Sequence, residues 1–391
     1  MRDVIVLGST GSIGAQAIDV VQHHQDKFRI VGLAAGGAHV DTLADQIGAV
    51  RPTRVAVATD EAADQLKQTL AASGIGVPAI LSGPNASSDL ARTGADVVLN
   101  AITGYAGLEP TLAVLATGST LALANKESLV VGGSLVVDSA TPGQIVPVDS
   151  EHSAIAQALR SGRPREVSRI ILTASGGPFR GRKRDQLKNV SVKQALAHPT
   201  WDMGRTVTIN SATLVNKGLE LIEAALLFSV PWDSIQVVVH PQSMVHSMVE
   251  FQDGATIAQC SPPDMRLPIA LGLSWPDRLV DVAAPCDWTQ ASRWTFEPLD
   301  NETFPAVELA RRVGRMGGTV PAVLNAANEV CVDAFCGGRL GFLGIVDTVT
   351  NVVATYVEQF PPKDSSVSLD KIRTADSWAR KAAEDAIGEI S

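Results

Sequence analysis

VIVLGSTGSIG, residues 4–14, is the stretch that decides the fold. Four apolar residues in a row, Val4 to Leu7, describe a strand buried on both faces; Gly8, Gly11 and Gly14 follow at once, and a helical pattern then runs through Ala17 and Val20. A strand, a tight glycine turn and a helix N-terminus form a cradle in which backbone N–H groups and the positive end of the helix dipole receive a pyrophosphate. The spacing is GxxGxxG rather than GxGxxG, and glycines also mark plain turns. Their place after the first strand of an α/β pattern favours a nucleotide, with Thr10, Gly11, Ser12 and Ile13 on the phosphate side.

Outward from that turn, short apolar strands alternate with amphipathic helices to about residue 150: FRIVGLAAG, RVAVA, DVVLNAI, STLALA and QIVPVD. Such alternation predicts a Rossmann-like, doubly wound parallel sheet. Residues 151–290 change texture, with RIILTAS, a Gly/Pro/Arg-rich stretch, a long helix from about Ala212 to Phe228, and the strands IQVVVH, SMVHSMVEF and ATIAQC, the last two joined at Gln252–Ala255 by a hairpin whose Asp-Gly tolerates positive φ. This reads as a central α+β domain whose sheet offers a dimer face. Residues 291–391 are mostly amphipathic helix and form a C-terminal helical domain. The expected division is thus 1–150, 151–290 and 291–391.

Composition narrows the partners. The chain has 391 residues, 45% apolar and 19% charged, an ordinary globular balance. Its 41 acidic against 32 basic residues give a net charge of −9, which offers nucleic acid or an anionic membrane no general attraction. Cys260, Cys286, Cys331 and Cys336 form no CxxC pair and no zinc spacing, so reduced thiols in a cytoplasmic protein are expected. No signal-peptide pattern and no apolar run of about eighteen residues is seen, so neither export nor a membrane span is expected.

The second strand ends in Ala34, Ala35, Gly36 and Gly37, where a site for NAD usually carries an acid on the ribose hydroxyl. Without that acid a 2′-phosphate is not repelled, so NADP is favoured by exclusion; no Lys or Arg lies between Arg29 and Arg51, which leaves His39 and backbone amides as weak contacts.

Three acids mark a second centre. In an extended segment Asp149 and Glu151 point the same way and converge on one cation, although Asp149 or Ser150 could equally be the N-cap of the following helix. Glu220 stands with Asn216 on one helical face, Lys217 beside them; a Lys217–Glu220 pair on a solvated face is the plainer alternative. Carboxylates without Cys or His ligands describe a hard-cation site for Mg²⁺ or Mn²⁺, with Co²⁺ a third candidate. A phosphate monoester needs several donors, and Ser175, His198, Ser211, Asn216 and Lys217 supply them, Ser211 at an expected helix start; each alone also reads as a cap or a turn residue. Asn125, Lys126 and Glu127 follow a buried strand at the edge where open α/β sheets bind ligands, or form a capping pair. Trp201 and Met203, in a loop between Pro199 and Gly204, suit a hinged lid or a satellite core.

Taken in order, GSTGSIG (8–14), ANKESL (124–129), PVDSEH (147–152), TASGGPF (173–179), HPTWDMG (198–204), NKGLE (216–220), HPQSMVHSMV (240–249) and LNAANEV (324–330) resemble the 1-deoxy-D-xylulose 5-phosphate reductoisomerases, from about residue 4 to about 380. The resemblance implies an NADPH-dependent reductoisomerase that converts its sugar phosphate to 2-C-methyl-D-erythritol 4-phosphate in isoprenoid biosynthesis, with inhibition by fosmidomycin and a homodimer. It implies Asp149, Glu151 and Glu220 as ligands of the divalent ion, with Lys126 beside them in catalysis. Lys126, Ser150, Glu151, Ser175, His198, Trp201, Met203, Ser211, Asn216, Lys217 and Glu220 would face substrate. Gly8, Thr10 to Ile13, Gly36, Gly37, Asn125, Glu127 and Gly204 would face NADPH. A dehydrogenase of the aspartate-semialdehyde type, which needs a nucleophilic cysteine, and a non-catalytic NADP sensor are the rival readings.

Overall fold

The computed structural model describes residues 1–361 and 367–390. The chain divides into two units, the first made of Met1–Ser128, Asp138–Ser153 and Asp264–Ala284, the second of Leu129–Val137, Ala154–Pro263 and Pro285–Ser391.

The first unit is built on seven strands: β1 (Arg2–Leu7), β2 (Phe28–Ala35), β3 (Arg54–Val57), β4 (Ala79–Ser82), β5 (Val97–Asn100), β6 (Thr120–Leu123) and β7 (Ile145–Pro147). All pair in parallel, in the order β4-β3-β2-β1-β5-β6-β7. The chain therefore runs outward from β1 in one direction, returns, and runs outward in the other, so right-handed crossovers put helices on opposite faces and open a crevice at the C-terminal end of β1. Val4 and Val6 of β1, Leu33 of β2, Val55 of β3 and Leu99 of β5 share one core, which is why these strands read as continuous apolar runs. β4 escaped the sequence reading: it is a four-residue edge strand after Pro78, and neither end of it is buried. The segment Asp264–Ala284 returns to this unit through the helix Arg266–Ser274, whose Ile269, Ala270 and Leu273 enter the same core. Arg2 secures it by donating to the carbonyls of Leu273 and Trp275 at 3.1 and 3.2 Å.

The second unit carries β8 (Val167–Ala174), β9 (Ile235–Val239), β10 (Val245–Phe251), β11 (Thr256–Cys260) and β12 (Glu297–Pro298) in a mixed sheet of order β11-β10-β8-β9-β12. The Asp-Gly hairpin joins β10 to β11 as expected: Gly254 takes φ +89° and the Phe251 N–H reaches the Ala255 carbonyl at 2.8 Å. Helices Ala306–Met316, Val320–Cys336 and Phe342–Gln359 pack with this sheet into one core, joined by Ala375 and Ala379 of the helix Leu369–Ile390. Gly218 lets two of the unit's helices meet closely, since a Cβ there would stand 2.8 Å from that of Ala310. The expected long helix from Ala212 to Phe228 is two helices, Arg205–Ala212 and Val215–Phe228, broken at Leu214 with φ 60°. Thr213 stabilises the break, its hydroxyl donating to the carbonyls of Ile209 and Asn210. Among the described residues no helix is long and apolar enough to cross a membrane.

Candidate active site

In the first unit the expected residues gather at the C-terminal edge of the parallel sheet. Gly8 takes φ +83°, and a Cβ on it would lie 2.7 Å from the Ala101 carbonyl oxygen just past β5. Gly14 is tighter still, for its Cβ would stand 2.3 Å from the Gly8 carbonyl oxygen and 2.5 Å from the Ser9 Cα. The turn is thus folded back on the first coil of the helix Ser12–His23. That helix starts at Gly11 without a side-chain cap and without an acid in its first turn, so its N–H groups and dipole remain available to an anion. Thr10, Gly11, Ser12 and Ile13 are exposed or half-buried there. A residue the sequence reading missed, Gln46, braces the turn from the helix Val40–Val50 by donating to the Ser9 carbonyl at 2.8 Å. Its signal was absent because one buried amide on an apolar helix face has no local pattern. Gly36 and Gly37 close β2, Gly37 with φ +101°.

Past β6, the Asn125 Oδ1 accepts the Ser128 N–H at 2.8 Å and so caps the helix Lys126–Gly132, while its Nδ2 donates to the Gly104 carbonyl and to Glu127. Lys126 reaches Asp149, Nζ to Oδ2 2.6 Å, with about a tenth of either side chain exposed. Of the two readings posed for Asp149, the structure shows the N-cap. It caps the helix Ser150–Ala158 by accepting the Glu151 N–H at 3.1 Å, and it also gathers Lys126 and the buried His152, whose Nδ1 lies 3.1 Å from Oδ1. Glu151 is correspondingly in the first helical turn and not in an extended strand, so the alternation argument for the pair fails; both acids instead stand at a helix N-terminus, where the dipole favours negative charge. The Ser150 hydroxyl bonds Glu151 at 2.5 Å. His152 was legible in principle, because it falls three residues after Asp149, one helical turn on.

The second unit assembles the phosphate-side residues. Gly177, φ +66°, lays the turn after β8 against the end of the helix Arg205–Ala212, where its Cβ would meet the Ser211 carbonyl oxygen at 2.8 Å. Ser211 therefore sits in the last turn of a helix and not at a helix start, a consequence of the break at Leu214. The His198 Nδ1 accepts the N–H groups of Thr200 and Trp201 at 3.1 and 2.9 Å, so the proton of the neutral ring is on Nε2, which donates to the Ser175 hydroxyl at 3.0 Å. Burial pushes His198 below the ordinary 6.5, in keeping with a ring already supplied with donors at Nδ1. Lys217 and Glu220 do pair, yet on a buried face: they are 4% and 1% exposed, and Asn216 donates to Glu220 at 2.5 Å. Trp201 and Met203 are half-buried, Trp201 tilted beside the His246 ring at 6.1 Å, and Gly204 opens the helix Arg205–Ala212.

The His198 arrangement gives a pH dependence with a definite sign. A depressed pKa means that the folded state favours the neutral ring, so the anchoring of residues 198–201 is complete above the ordinary value and lost as pH falls through the depressed one. An NMR titration should place His198 below 6.5 and show the Thr200 and Trp201 amides moving with it; a value above 6.5 would contradict a ring that burial keeps neutral.

Three of the four cysteines are poor nucleophiles. Burial pushes the Cys331 thiol up to about 12 and raises Cys260 and Cys336 as well, so none of these three is a thiolate near neutrality. Treatment of the native protein with iodoacetamide should leave activity intact and Cys331 unlabelled until unfolding; stoichiometric inactivation by one labelled cysteine would restore a thiol mechanism.

Three family models match the chain: 1-deoxy-D-xylulose 5-phosphate reductoisomerase over residues 4–133, its C-terminal domain over 145–228, and the DXP reductoisomerase C-terminal domain over 260–382. A 1-deoxy-D-xylulose 5-phosphate reductoisomerase of Cutibacterium acnes is 60% identical over 399 residues, covering 98% of either chain. That of Kitasatospora griseola is 58% identical, covering 98% of this chain and 99% of its own. Among solved structures, the reductoisomerase of Zymomonas mobilis in complex with NADPH superposes with a TM-score of 0.90 at 41% identity, 99% of each chain covered. A DOX-P reductoisomerase in complex with NADPH, fosmidomycin and magnesium gives 0.91 at 36% identity, with 100% of this chain and 99% of that one covered.

Proposed function

This chain belongs to the 1-deoxy-D-xylulose 5-phosphate reductoisomerase family, and from that membership we infer that it isomerises and reduces 1-deoxy-D-xylulose 5-phosphate with NADPH to 2-C-methyl-D-erythritol 4-phosphate, a step of isopentenyl diphosphate biosynthesis. The observation that carries this reading is that the likeness runs the length of both chains, in sequence and in fold.

On this reading Asp149, Glu151 and Glu220 hold a divalent ion, Mg²⁺, Mn²⁺ or Co²⁺. The donor set fits such an ion: three carboxylates suit a hard cation, and Glu220, 1% exposed, is held as a buried anion beside Lys217. When bound, the ion supplies a Lewis acid that draws charge from neighbouring carbonyl and hydroxyl oxygens. Lys126, held by Asp149, adds a fixed positive charge for an oxyanion that develops as the carbon skeleton breaks and rejoins. His152 orients the Asp149 carboxylate. Ser150 and Glu151 contact the substrate, and Glu151 orders or moves a proton. Ser175, the Nε2–H of His198, Ser211, Asn216 and Lys217 grip the phosphate, while Trp201 and Met203 exclude water. The glycine turn takes the NADPH pyrophosphate, and Gly36, Gly37, Asn125, Glu127 and Gly204 line the rest of the cofactor.

We assign cofactor binding, together with the catalytic Lys126 and Asp149, to residues 1–150, the rest of catalysis and dimerisation to 151–290 and support to 291–391. A cytoplasmic homodimer is part of the same proposal, supported by β11, an edge strand whose Ile257 is 38% exposed and which has an open side for pairing.

Calorimetric titration of the NADPH-loaded protein with fosmidomycin, with and without Mg²⁺, tests the assignment. Binding is expected only with the cation. Equal binding after chelation would overturn the carboxylate site, and no binding under either condition would overturn the reading itself.

A further inference from the structure

LNAANEV, residues 324–330, lies in the middle of the helix Val320–Cys336, and nothing in the site described above uses it. Its two asparagines are buried, Asn325 at 1% and Asn328 at 0% exposure, where aliphatic side chains would fill the space without any polar group to satisfy. They point to different tasks. Asn325 donates to Glu329 at 3.0 Å, and Glu329 pairs with Arg380, which also holds Asp376; this half of the motif ties the helix to its neighbour Leu369–Ile390. Asn328 instead donates to the Asn210 Oδ1 at 2.9 Å, and its own Oδ1 is buried without a partner among the described residues.

Asn210 precedes Ser211 in the last turn of the helix Arg205–Ala212, the turn against which Gly177 packs and after which the chain breaks at Leu214 to begin Asn216 and Lys217. The first turn of that short helix is tied to the same partner, Arg205 to Asp333 at 2.7 Å, but on the surface. The inner link is the one beside the phosphate-side residues, and it is directional: with Asn328 as donor, the Asn210 carboxamide has one orientation.

We propose that Asn328 is a positioning residue for the sugar phosphate, fixing through Asn210 the helix end that presents Ser211 and the break that sets Asn216 and Lys217. The proposal rests on the phosphate assignment made above. It places a determinant of substrate affinity in the C-terminal helices, on a side chain that touches no substrate.

The test compares four variants by steady-state kinetics, NADPH titration and thermal melting. Asn328→Leu should raise the substrate KM about tenfold with kcat changed by no more than about twofold and NADPH affinity unchanged. Asn210→Leu, which removes the acceptor, should raise the substrate KM by about the same factor as Asn328→Leu. Asn325→Leu cuts the other link of the same helix and should lower the melting temperature without moving KM. Asn328→Ala gives the same readout should the leucine variant not fold. An unchanged KM in the Asn328 variants, or an equal KM rise in Asn325→Leu, would overturn the proposal. Ser211→Ala, run in parallel, separates the two levels: if it leaves KM alone the phosphate assignment fails and this inference with it, whereas a raised KM there beside a native KM in Asn328→Leu removes this inference only.

Discussion

Glu220→Gln should lower turnover by at least about 10²-fold while NADPH binds as before. The substitution is nearly isosteric, so the helix Val215–Phe228 has no steric reason to move, but Asn216 and Lys217 donate to different oxygens of Glu220, and Gln keeps an acceptor for only one of them. What it removes is the negative charge at a position 1% exposed. A neutral amide is a poor ligand for a hard cation, and it leaves the buried Lys217 ammonium short of its counter-charge. The first effect falls on the transition state, where negative charge develops on the substrate oxygens, and the second on the phosphate that Lys217 grips. The nucleotide is held by the glycine turn and contacts assigned to other residues, so its affinity should stay within about twofold of native. Stopped-flow turnover together with NADPH fluorescence titration checks both halves; a large loss of NADPH affinity would remove Glu220 from a cation-specific role.

The complementary change, Gly14→Ala, should weaken NADPH about 5- to 150-fold, the factor that corresponds to an overpacking cost of about 1–3 kcal/mol. The added methyl would stand 2.3 Å from the Gly8 carbonyl oxygen and 2.5 Å from the Ser9 Cα, and these are backbone atoms that cannot rotate away. The turn must open, and it loses the spacing that receives a pyrophosphate. Gly11→Ala differs in kind: its Cβ would meet no protein atom nearer than 3.4 Å and its φ of −78° suits any residue, so any affinity it loses comes from the methyl's approach to the cofactor and not from a turn forced open. Native affinity in Gly14→Ala would mean that the turn is not where the cofactor sits.

These two glycines show how far the sequence could be read. GxxGxxG after VIVL marks a nucleotide turn, but it presents three equivalent glycines, and only the fold distinguishes Gly14 and Gly8, pressed against backbone, from the spacious Gly11. The parallel sheet was legible because strands buried on both faces leave uninterrupted apolar runs, as in VVLN at β5. β4 was not, since a short, half-exposed edge strand carries no such run. The break at Leu214 was hidden for a different reason: positive φ is expected at glycine or asparagine, and a leucine held there by its surroundings has no local signal. That break is also why Ser211 was put at the wrong end of a helix. Candidate site residues were recognisable as chemistry clustered at strand ends, whereas their partners lie far along the chain. Lys126 meets Asp149 across 23 residues, Gln46 reaches Ser9 across 37, and Asn328 reaches Asn210 across 118.

The most direct measurement is NADPH oxidation, followed at its absorbance band with 1-deoxy-D-xylulose 5-phosphate as substrate, with and without Mg²⁺ or Mn²⁺ and with NADH in parallel. The account predicts oxidation that requires the cation, yields 2-C-methyl-D-erythritol 4-phosphate and runs faster with NADPH than with NADH. A folded sample that binds NADPH but leaves it unoxidised in the presence of substrate and cation would contradict it.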